Sequence, residues 1–482
     1  MILQTMCVWL LLVSKIVYAT HEDFTDTSIQ SHFATKTTYA HRISIENSLP
    51  WIQANIPTHL RPVLIDATLR HGTRFPSVKL MKIFKVAGVK YQKIIEKSID
   101  LKLSNSARNS ILRWKNQFEE HSNYLLSSLG WNEQITLGFK YFLMMPELWH
   151  KVLAKHGSQN QRDLMIMTSS KVRVLATAKA FLNAIRLANN NGTSNSNHQS
   201  IQYKEEKVLS ENNQKDEHDS IRYANISVRI EDGLLRFFDQ CQKYVHTVNK
   251  NETAEHEFQS YFKSKQMNEV LDDISGIEDR KELYHIYQLC AFEMAIYGNS
   301  VWCQLFNNKD IPVLEYASDL KHYYKTGHGY AVNVEQSCIL LQNITDRIAQ
   351  RVPGKMQATL RFGHAETLIP LVSLLEFYQE DRHLKAHNFD AHKNRTFRTG
   401  KISPFSGNLA IVLYESVQDK NVFISFTLNE NIIRPFGLDC YFCDFNKDSV
   451  VYKKLHEKLE DCHKVCDLEH ERYIKSNIKE EL

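Results

Sequence analysis

The chain has 482 residues, 43% of them hydrophobic, and a formal net charge of +4. That length supports a large buried core, and so small a charge excludes a nucleic-acid binder or a membrane-surface protein built on bulk positive charge. Any attraction for an anionic ligand must therefore be local.

Residues 1–19 are apolar around Val8-Trp9-Leu10-Leu11-Leu12-Val13 and end Val17-Tyr18-Ala19, which reads as a signal peptide, although its only basic residue, Lys15, comes late. No later stretch approaches about 18 apolar residues without charge, so no membrane span is expected in the mature chain. Residues 20–77 comprise a polar extension to about residue 60, then a first core strand at 62–69 that runs into Leu69-Arg70-His71-Gly72-Thr73-Arg74-Phe75-Pro76. Residues 78–162 carry helical periodicity and read as a helical cap insert. Residues 163–187 return to strand plus helix: Leu164-Met165-Ile166-Met167, then Thr168-Ser169-Ser170 as an N-cap with Arg173 in the first turn. Residues 188–350 open with a loop rich in Asn, Ser, Lys and Glu and continue as further helical cap. Residues 351–470 resume the α/β core, with a strand at 358–363 delivering His364-Ala365-Glu366 and a hairpin of 408–417 against 421–428 at the sheet edge. Residues 471–482 form a tail ending Lys479-Glu480-Glu481-Leu482. The expected fold is α/β: a parallel-type sheet core flanked by helices, with a large all-helical insert and a site between them at the carboxyl ends of the strands.

Three pieces carry chemistry. His71 stands between two arginines at a strand end, where an imidazole can attack phosphorus. Arg70 and Arg74 offer fixed forks of donors to phosphate oxygens. Arg173, near a helix N-terminus, can reach the same anion. Phosphoryl transfer to His71 needs a proton for the departing alkoxide, and Glu366 suits that role if a closed site raises its pKa. His364 can supply another donor.

Beyond the leader's Cys7, eight of the nine cysteines remain: Cys241, Cys290, Cys303, Cys338, Cys440, Cys443, Cys462 and Cys466. An even number behind a signal peptide predicts up to four disulfides with connectivity unreadable; Cys440-x-x-Cys443 with Cys462-x-x-x-Cys466 admits a zinc alternative. N-glycosylation sequons stand at Asn191, Asn225, Asn251, Asn343 and Asn394. The tail is similar to the Lys-Asp-Glu-Leu retrieval signal, with a plain acidic tail as the alternative. These features predict residence in the endoplasmic reticulum lumen, with possible retrieval-receptor contact through the tail, or else secretion.

Arg70-His71-Gly72-x-Arg74-x-Pro76, Ser169-Ser170-x-x-Arg173 and His364-Ala365-Glu366 in this order resemble the histidine acid phosphatases. The form His364-Ala365-Glu366-Thr367-Leu368 is similar to the multiple inositol polyphosphate phosphatase branch. So are Gly130-x-x-x-Gln134 with Leu137-Gly138, Leu234 through Cys241, and the stretches at 314–330 and 397–409. The resemblance runs from about residue 60 to the C-terminus; the insert at 188–220 has no match. It implies His71 as nucleophile through a phosphohistidine, Arg70, Arg74 and Arg173 as phosphate ligands, His364 as a further donor and Glu366 as proton donor. It implies no metal or other cofactor, and a small phosphorylated substrate: inositol polyphosphates, with 2,3-bisphosphoglycerate also plausible. Lys79, Lys82, Lys321, Lys325 and Arg398, with His328, Arg395 and Lys401, are candidates to hold additional phosphates; each alternatively belongs to a solvated basic surface. A broad-specificity acid phosphatase and a non-catalytic phosphate-ester binding protein are the competing functions.

Overall fold

The computed structural model of the chain describes residues 27–39, 56–97, 103–154, 163–191, 220–223, 226–274, 277 and 279–467. Residues 1–19, expected to form a signal peptide, the tail at 471–482 and most of the polar loop lie outside the described residues.

Nine strands form one sheet among the described residues, in the order β3-β4-β2-β5-β1-β6-β7-β8, with β9 paired to β7. They are β1 (Leu60–Arg70), β2 (Leu164–Thr168), β3 (Ser220–Tyr223), β4 (Ile226–Ile230), β5 (Gln357–Gly363), β6 (Asn408–Ser416), β7 (Val422–Leu428), β8 (Asn431–Ile433) and β9 (Cys443–Asp444). Strands β4, β2, β5 and β1 run parallel. The sheet then turns antiparallel through β6, β7 and β8. Strand β5 is buried along its whole length, as a central parallel strand covered on both faces must be.

The helices used below are α1 (Val78–Lys97), α2 (Asn105–Leu112), α3 (Ser128–Met144), α4 (Pro146–Ala154), α5 (Val172–Asn191), α6 (Lys265–Asp273), α7 (Arg280–Tyr297), α8 (Asp310–Lys325), α9 (Cys338–Ala349) and α10 (Ala365–Leu374). Successive side chains of β6 point to opposite faces. Ala410, Val412 and Tyr414 join the core beneath α3, α4 and α5, with Leu137, Trp149 and Phe181. Leu409, Ile411 and Leu413 join a larger core with α10, α9 and the cap helices α1, α7 and α8. The block 78–162, read from periodicity as one helical insert, is therefore divided. Helix α1 packs on α7 in the cap, whereas α3 and α4 cover the sheet beside α5. Helical periodicity reports that one face is buried, not against what.

Two further differences concern strands. Residues 220–230 form the antiparallel pair β3–β4, and β4 extends the parallel sheet beside β2. The hairpin β6–β7 exists, but β6 lies against β1 and the edge passes to β8. All eight described cysteines are paired: Cys241–Cys466, Cys290–Cys303, Cys338–Cys462 and Cys440–Cys443. That pairing removes the zinc alternative, because the sulfurs of Cys440, Cys443, Cys462 and Cys466 are all held in disulfides and offer no thiolate. No helix among the described residues is long and apolar enough to cross a membrane.

Candidate active site

Parallel pairing brings the three motif-bearing strand ends together. Arg70 registers with Gly363, and Thr168 with Phe362, so His71, Ser169 and His364 emerge side by side at the carboxyl edge of the sheet. The backbone continues the pairing past β1: His71 N–H donates to Gly363 O at 3.1 Å and Ser406 N–H to His71 O at 3.1 Å. His71 is 3% exposed. Its Nδ1 lies 2.9 Å from Gly72 O, a contact that requires the proton on Nδ1 and leaves Nε2 with a free lone pair. Burial, then the charges of Arg70, Arg173 and Arg74, hold this imidazole well below the usual histidine range. The ring is therefore neutral and nucleophilic.

The loop after His71 is gripped by α3. Glu133 accepts from Thr73 N–H at 2.8 Å, Thr73 Oγ1 at 3.0 Å, Tyr39 N–H at 3.0 Å and Ser406 Oγ at 3.1 Å. Gln134 donates to Ser406 Oγ at 2.8 Å. Gly72 and Gly130 face each other: a Cβ on Gly72 would lie 2.3 Å from Gly130 O, and one on Gly130 2.1 Å from Thr73 O.

Arg70 is 2% exposed and is aimed by Nη1 bonds to Thr35 O at 2.8 Å and Ser403 O at 2.7 Å, with the Phe405 ring 4.6 Å from its guanidinium. Arg74 and Arg173 both lie against Tyr124, at 4.8 Å and 5.2 Å from the ring centre. The Nε of each of these three arginines has no hydrogen-bond partner. Tyr124 (φ 58°), Ala34 (φ 50°) and Ser406 (φ 58°) hold left-handed backbone around this site; such strain concentrates where surrounding structure fixes a functional geometry.

His364 reaches the site with its ring 5.7 Å from that of His71. Its Nδ1 accepts from Arg173 Nη2 at 3.2 Å, and its Nε2 then donates to Ser169 Oγ at 2.9 Å. The expected N-cap is thus used otherwise: Ser169 serves His364, and Ser170 bonds Asp232. Glu366, in the first turn of α10, is accessible to solvent. Burial would raise its carboxyl, but His364, its own backbone N–H, His322 and Arg70 outweigh this and lower it. Solvent access weakens the burial penalty further, and the helix N-terminus favours the anion. The raised pKa expected from the sequence is absent in the ligand-free site.

The cations proposed for further phosphates separate into two groups. Lys325 donates to Val248 O and Asn249 O, both at 3.0 Å, and pairs with Glu255. Arg398 is spent on Glu315, Ser31 O and His32, and Arg395 on Asp319 and Glu315. His328 packs among Tyr323 and Phe397. Lys79 is exposed, Lys82 is exposed and pairs with Glu120, and Lys401 follows Arg398 in a short helix, Thr399–Ile402. The ammonium of Lys321 lies over the Phe258 ring at 5.4 Å and adds positive charge at Lys36 and His322, beside Arg70. Sequence reasoning missed Thr35, Lys36, Tyr124, Glu133 and His322. The motif Gly130-x-x-x-Gln134 pointed to Glu133; nothing in the polar extension marked Thr35 or Lys36.

Of the sequons, Asn225 and the side chain of Asn191 lie outside the described residues. Asn394 is exposed. Asn251 caps a turn, accepting from Thr253 N–H at 3.0 Å. The Oδ1 of Asn343 accepts from Arg361 at 2.6 Å and 3.2 Å, and Arg361 is fully buried in an ion pair with Asp66.

Known proteins resemble this chain in sequence and fold. The chain is 28% identical over 434 residues to multiple inositol polyphosphate phosphatase 1 of Homo sapiens, covering 84% of this chain and 82% of that one. Its identity to the Gallus gallus protein of the same name is 27% over 435 residues, 86% of each chain. In fold it resembles the Bifidobacterium longum multiple inositol polyphosphate phosphatase in complex with inositol hexasulfate, with a TM-score of 0.62 at 14% identity over 86% of this chain and 96% of that one. The phytase of D. castellii matches with a TM-score of 0.64 at 15% identity over 92% and 90%. The family model for the histidine phosphatase superfamily (branch 2) matches residues 66–429, well over half of the sequence, and the chain belongs to that family.

Proposed function

We propose that the protein is a phosphomonoester hydrolase that removes phosphates from inositol polyphosphates, such as inositol hexakisphosphate, through a phosphohistidine at His71. One observation carries this reading: a neutral His71 with a free Nε2 lies among three guanidiniums whose Nε atoms have no partner. In the first step Nε2 attacks phosphorus, the P–O bond to the inositol oxygen breaks, and that oxygen takes a proton from Glu366. In the second, water attacks the phosphohistidine, Glu366 accepts its proton, and inorganic phosphate and free His71 result. Arg70, Arg74 and Arg173 stabilise the charge on the transferring group in both steps. Of the groups that hold the Glu366 carboxyl down, Arg70 is one that a phosphate dianion engages. Binding therefore relieves its pull and favours the protonated carboxyl that donation needs. His364 serves as a phosphate donor once its bond to Ser169 is exchanged.

The likeness to multiple inositol polyphosphate phosphatases over 84–86% of the chain supports the polyphosphate substrate over a simple monoester. A Schizosaccharomyces pombe acid phosphatase matches only 33% of the chain, at 23% identity. 2,3-Bisphosphoglycerate suits the same site as a smaller polyanion. Four disulfides support a lumenal or secreted protein; retention in the endoplasmic reticulum through residues 479–482 and glycosylation at exposed Asn394 belong to this reading. The test is His71→Ala. Turnover of inositol hexakisphosphate should vanish with the fold intact, and an acid-labile, base-stable phosphoenzyme should be trapped in the native protein only. Substantial residual activity in the variant would reject the assignment.

A further inference from the structure

The segment 27–39 crosses the site as a strap. Tyr287 Oη donates to His32 O at 2.6 Å, and Phe405 N–H to Thr37 O at 2.9 Å. Its central residue, Thr35, is buried and holds two cations at once. The carbonyl accepts from Arg70 Nη1 at 2.8 Å, and the hydroxyl accepts from Lys36 Nζ at 2.8 Å. The same hydroxyl lies 3.3 Å from His322 Nε2. Burial, then the charge of Lys36, hold the His322 imidazole down to about 3, so the ring is neutral beside that ammonium.

Lys36 differs from the other internal cations of the cap. Among the described residues no carboxylate lies within ion-pairing distance of it, and beneath its ammonium is the face of Phe292, 5.5 Å away. Lys325 and Arg398, by contrast, are spent on carbonyls and carboxylates. A half-buried ammonium whose only polar partner is a neutral hydroxyl is poorly compensated. It also lies among like charges, since burial, then Arg70, Arg74 and Lys321, depress its basicity and only Glu366 opposes them. Structural lysines acquire counter-ions. This one is tethered to the residue that aims Arg70 and is left without one, which is the arrangement expected of a site completed by an anion from outside.

We propose that Lys36 is a specificity-determining residue whose ammonium receives a second phosphate of the substrate, next to the one gripped by Arg70. The proposal rests on the polyphosphate reading above and deepens it. Its ligand is any polyol or acid bearing two phosphates on neighbouring carbons. Lys36 is not assigned a part in bond breaking.

The experiment uses the mature chain, p-nitrophenyl phosphate as reporter substrate, and two inhibitors: inorganic phosphate and the non-hydrolysable inositol hexasulfate. Lys36→Met should raise the inhibition constant of hexasulfate roughly tenfold to hundredfold, the worth of a charge-assisted contact, and that of phosphate far less. Lys36→Arg should restore most of the loss. Lys36→Gln, which retains a donor for Thr35, repeats the test should the Met variant melt early. Equal rises for both inhibitors would overturn the proposal, because Lys36 would then act only through Arg70 on the catalytic phosphate. No rise for either would overturn it as well. A wild-type protein that hydrolyses the reporter but binds hexasulfate no better than phosphate would fail the polyphosphate reading itself and take this proposal with it. A protein that does not hydrolyse the reporter would instead fail the phosphatase assignment.

Discussion

Two clusters of arginines occupy this molecule, and they are built on opposite plans. At the strand ends, Arg70, Arg74 and Arg173 are aimed by carbonyls, aromatic faces and a histidine, and keep Nε unpartnered. In the cap, Arg395 is 5% exposed and is saturated by Asp319, at 2.6 Å and 2.9 Å, and by Glu315, while Arg398 doubles onto the same Glu315. Asp319 also caps the short helix at Thr399. The residue type is the same and the function opposite. What decides is whether the protein supplies the counter-ion or leaves the ligand to supply it.

That contrast can be broken by exchanging outcomes. The largest effect expected is on stability: Arg395→Ala leaves Asp319 and Glu315 buried without their shared cation and should cost about 3–5 kcal/mol, read by urea unfolding. Activity should fall only with the folded fraction. Arg173→Ala should do the reverse, lowering kcat/KM by roughly 10²–10³-fold, as for loss of one preorganised donor, with little change in thermal midpoint. A stable but inactive Arg395 variant, or an unstable but active Arg173 variant, would dissolve the distinction.

Glu366 sharpens the comparison from the acidic side, as the carboxylate set against the first cluster. Glu366→Gln should slow phosphorylation of His71 by inositol hexakisphosphate by roughly 100-fold or more. With p-nitrophenyl phosphate, whose leaving group departs without a proton, the loss should be smaller. Rapid-quench measurement of that first step isolates it from water attack, and equal slowing on both substrates would leave Glu366 a positioning residue only.

The smallest effect is on pH dependence. Burial holds the His364 imidazole down to about 3, with Arg173 adding to it and Glu366 opposing. The unfolded chain takes up a proton at this ring as pH falls through about 6.5, while the folded chain does not until near the lower value. The unfolded state thus binds more protons in that window. The folded state has its full stability above about 6.5 and loses at most about 1.4 kcal/mol per pH unit below it. His364→Asn should lessen the slope of unfolding free energy between pH 6.5 and 5 by one histidine's share, with His71 and His322 keeping theirs; an unchanged slope would refute the assignment.

The gathering of His71, Arg173 and His364 was largely legible in the sequence because these residues sit at or just past strand ends within short contiguous motifs. Val63-Leu64-Ile65 before Arg70-His71 and Thr359-Leu360-Arg361-Phe362 before His364 read as buried strands, and parallel pairing does the rest. The cap cluster was not legible. Glu315 and Asp319 lie about 80 residues from Arg395 and Arg398, so the stretch at 395–401 looks cationic and available when it is neutralised from afar. Lys36 failed in the opposite sense. It stands in a polar segment without periodicity, and its place beside the site is visible only once Arg70 is seen to reach the carbonyl of the neighbouring Thr35. Disulfide connectivity was unreadable for the same reason, since Cys241 and Cys466 are 225 residues apart.

The opposed glycines Gly72 and Gly130 make the clearance between the loop after His71 and α3 a matter of bare backbone. Most contacts in a protein can absorb a change by letting a side chain rotate; here no side chain intervenes, and the obstructing atoms are peptide oxygens at 2.3 Å and 2.1 Å from any added carbon. A single methyl group at either place must therefore be accommodated by moving the loop that carries His71 or the helix that carries Glu133. The least replaceable positions of this site, in a mutational scan scored on activity, should include two that contribute no functional group at all.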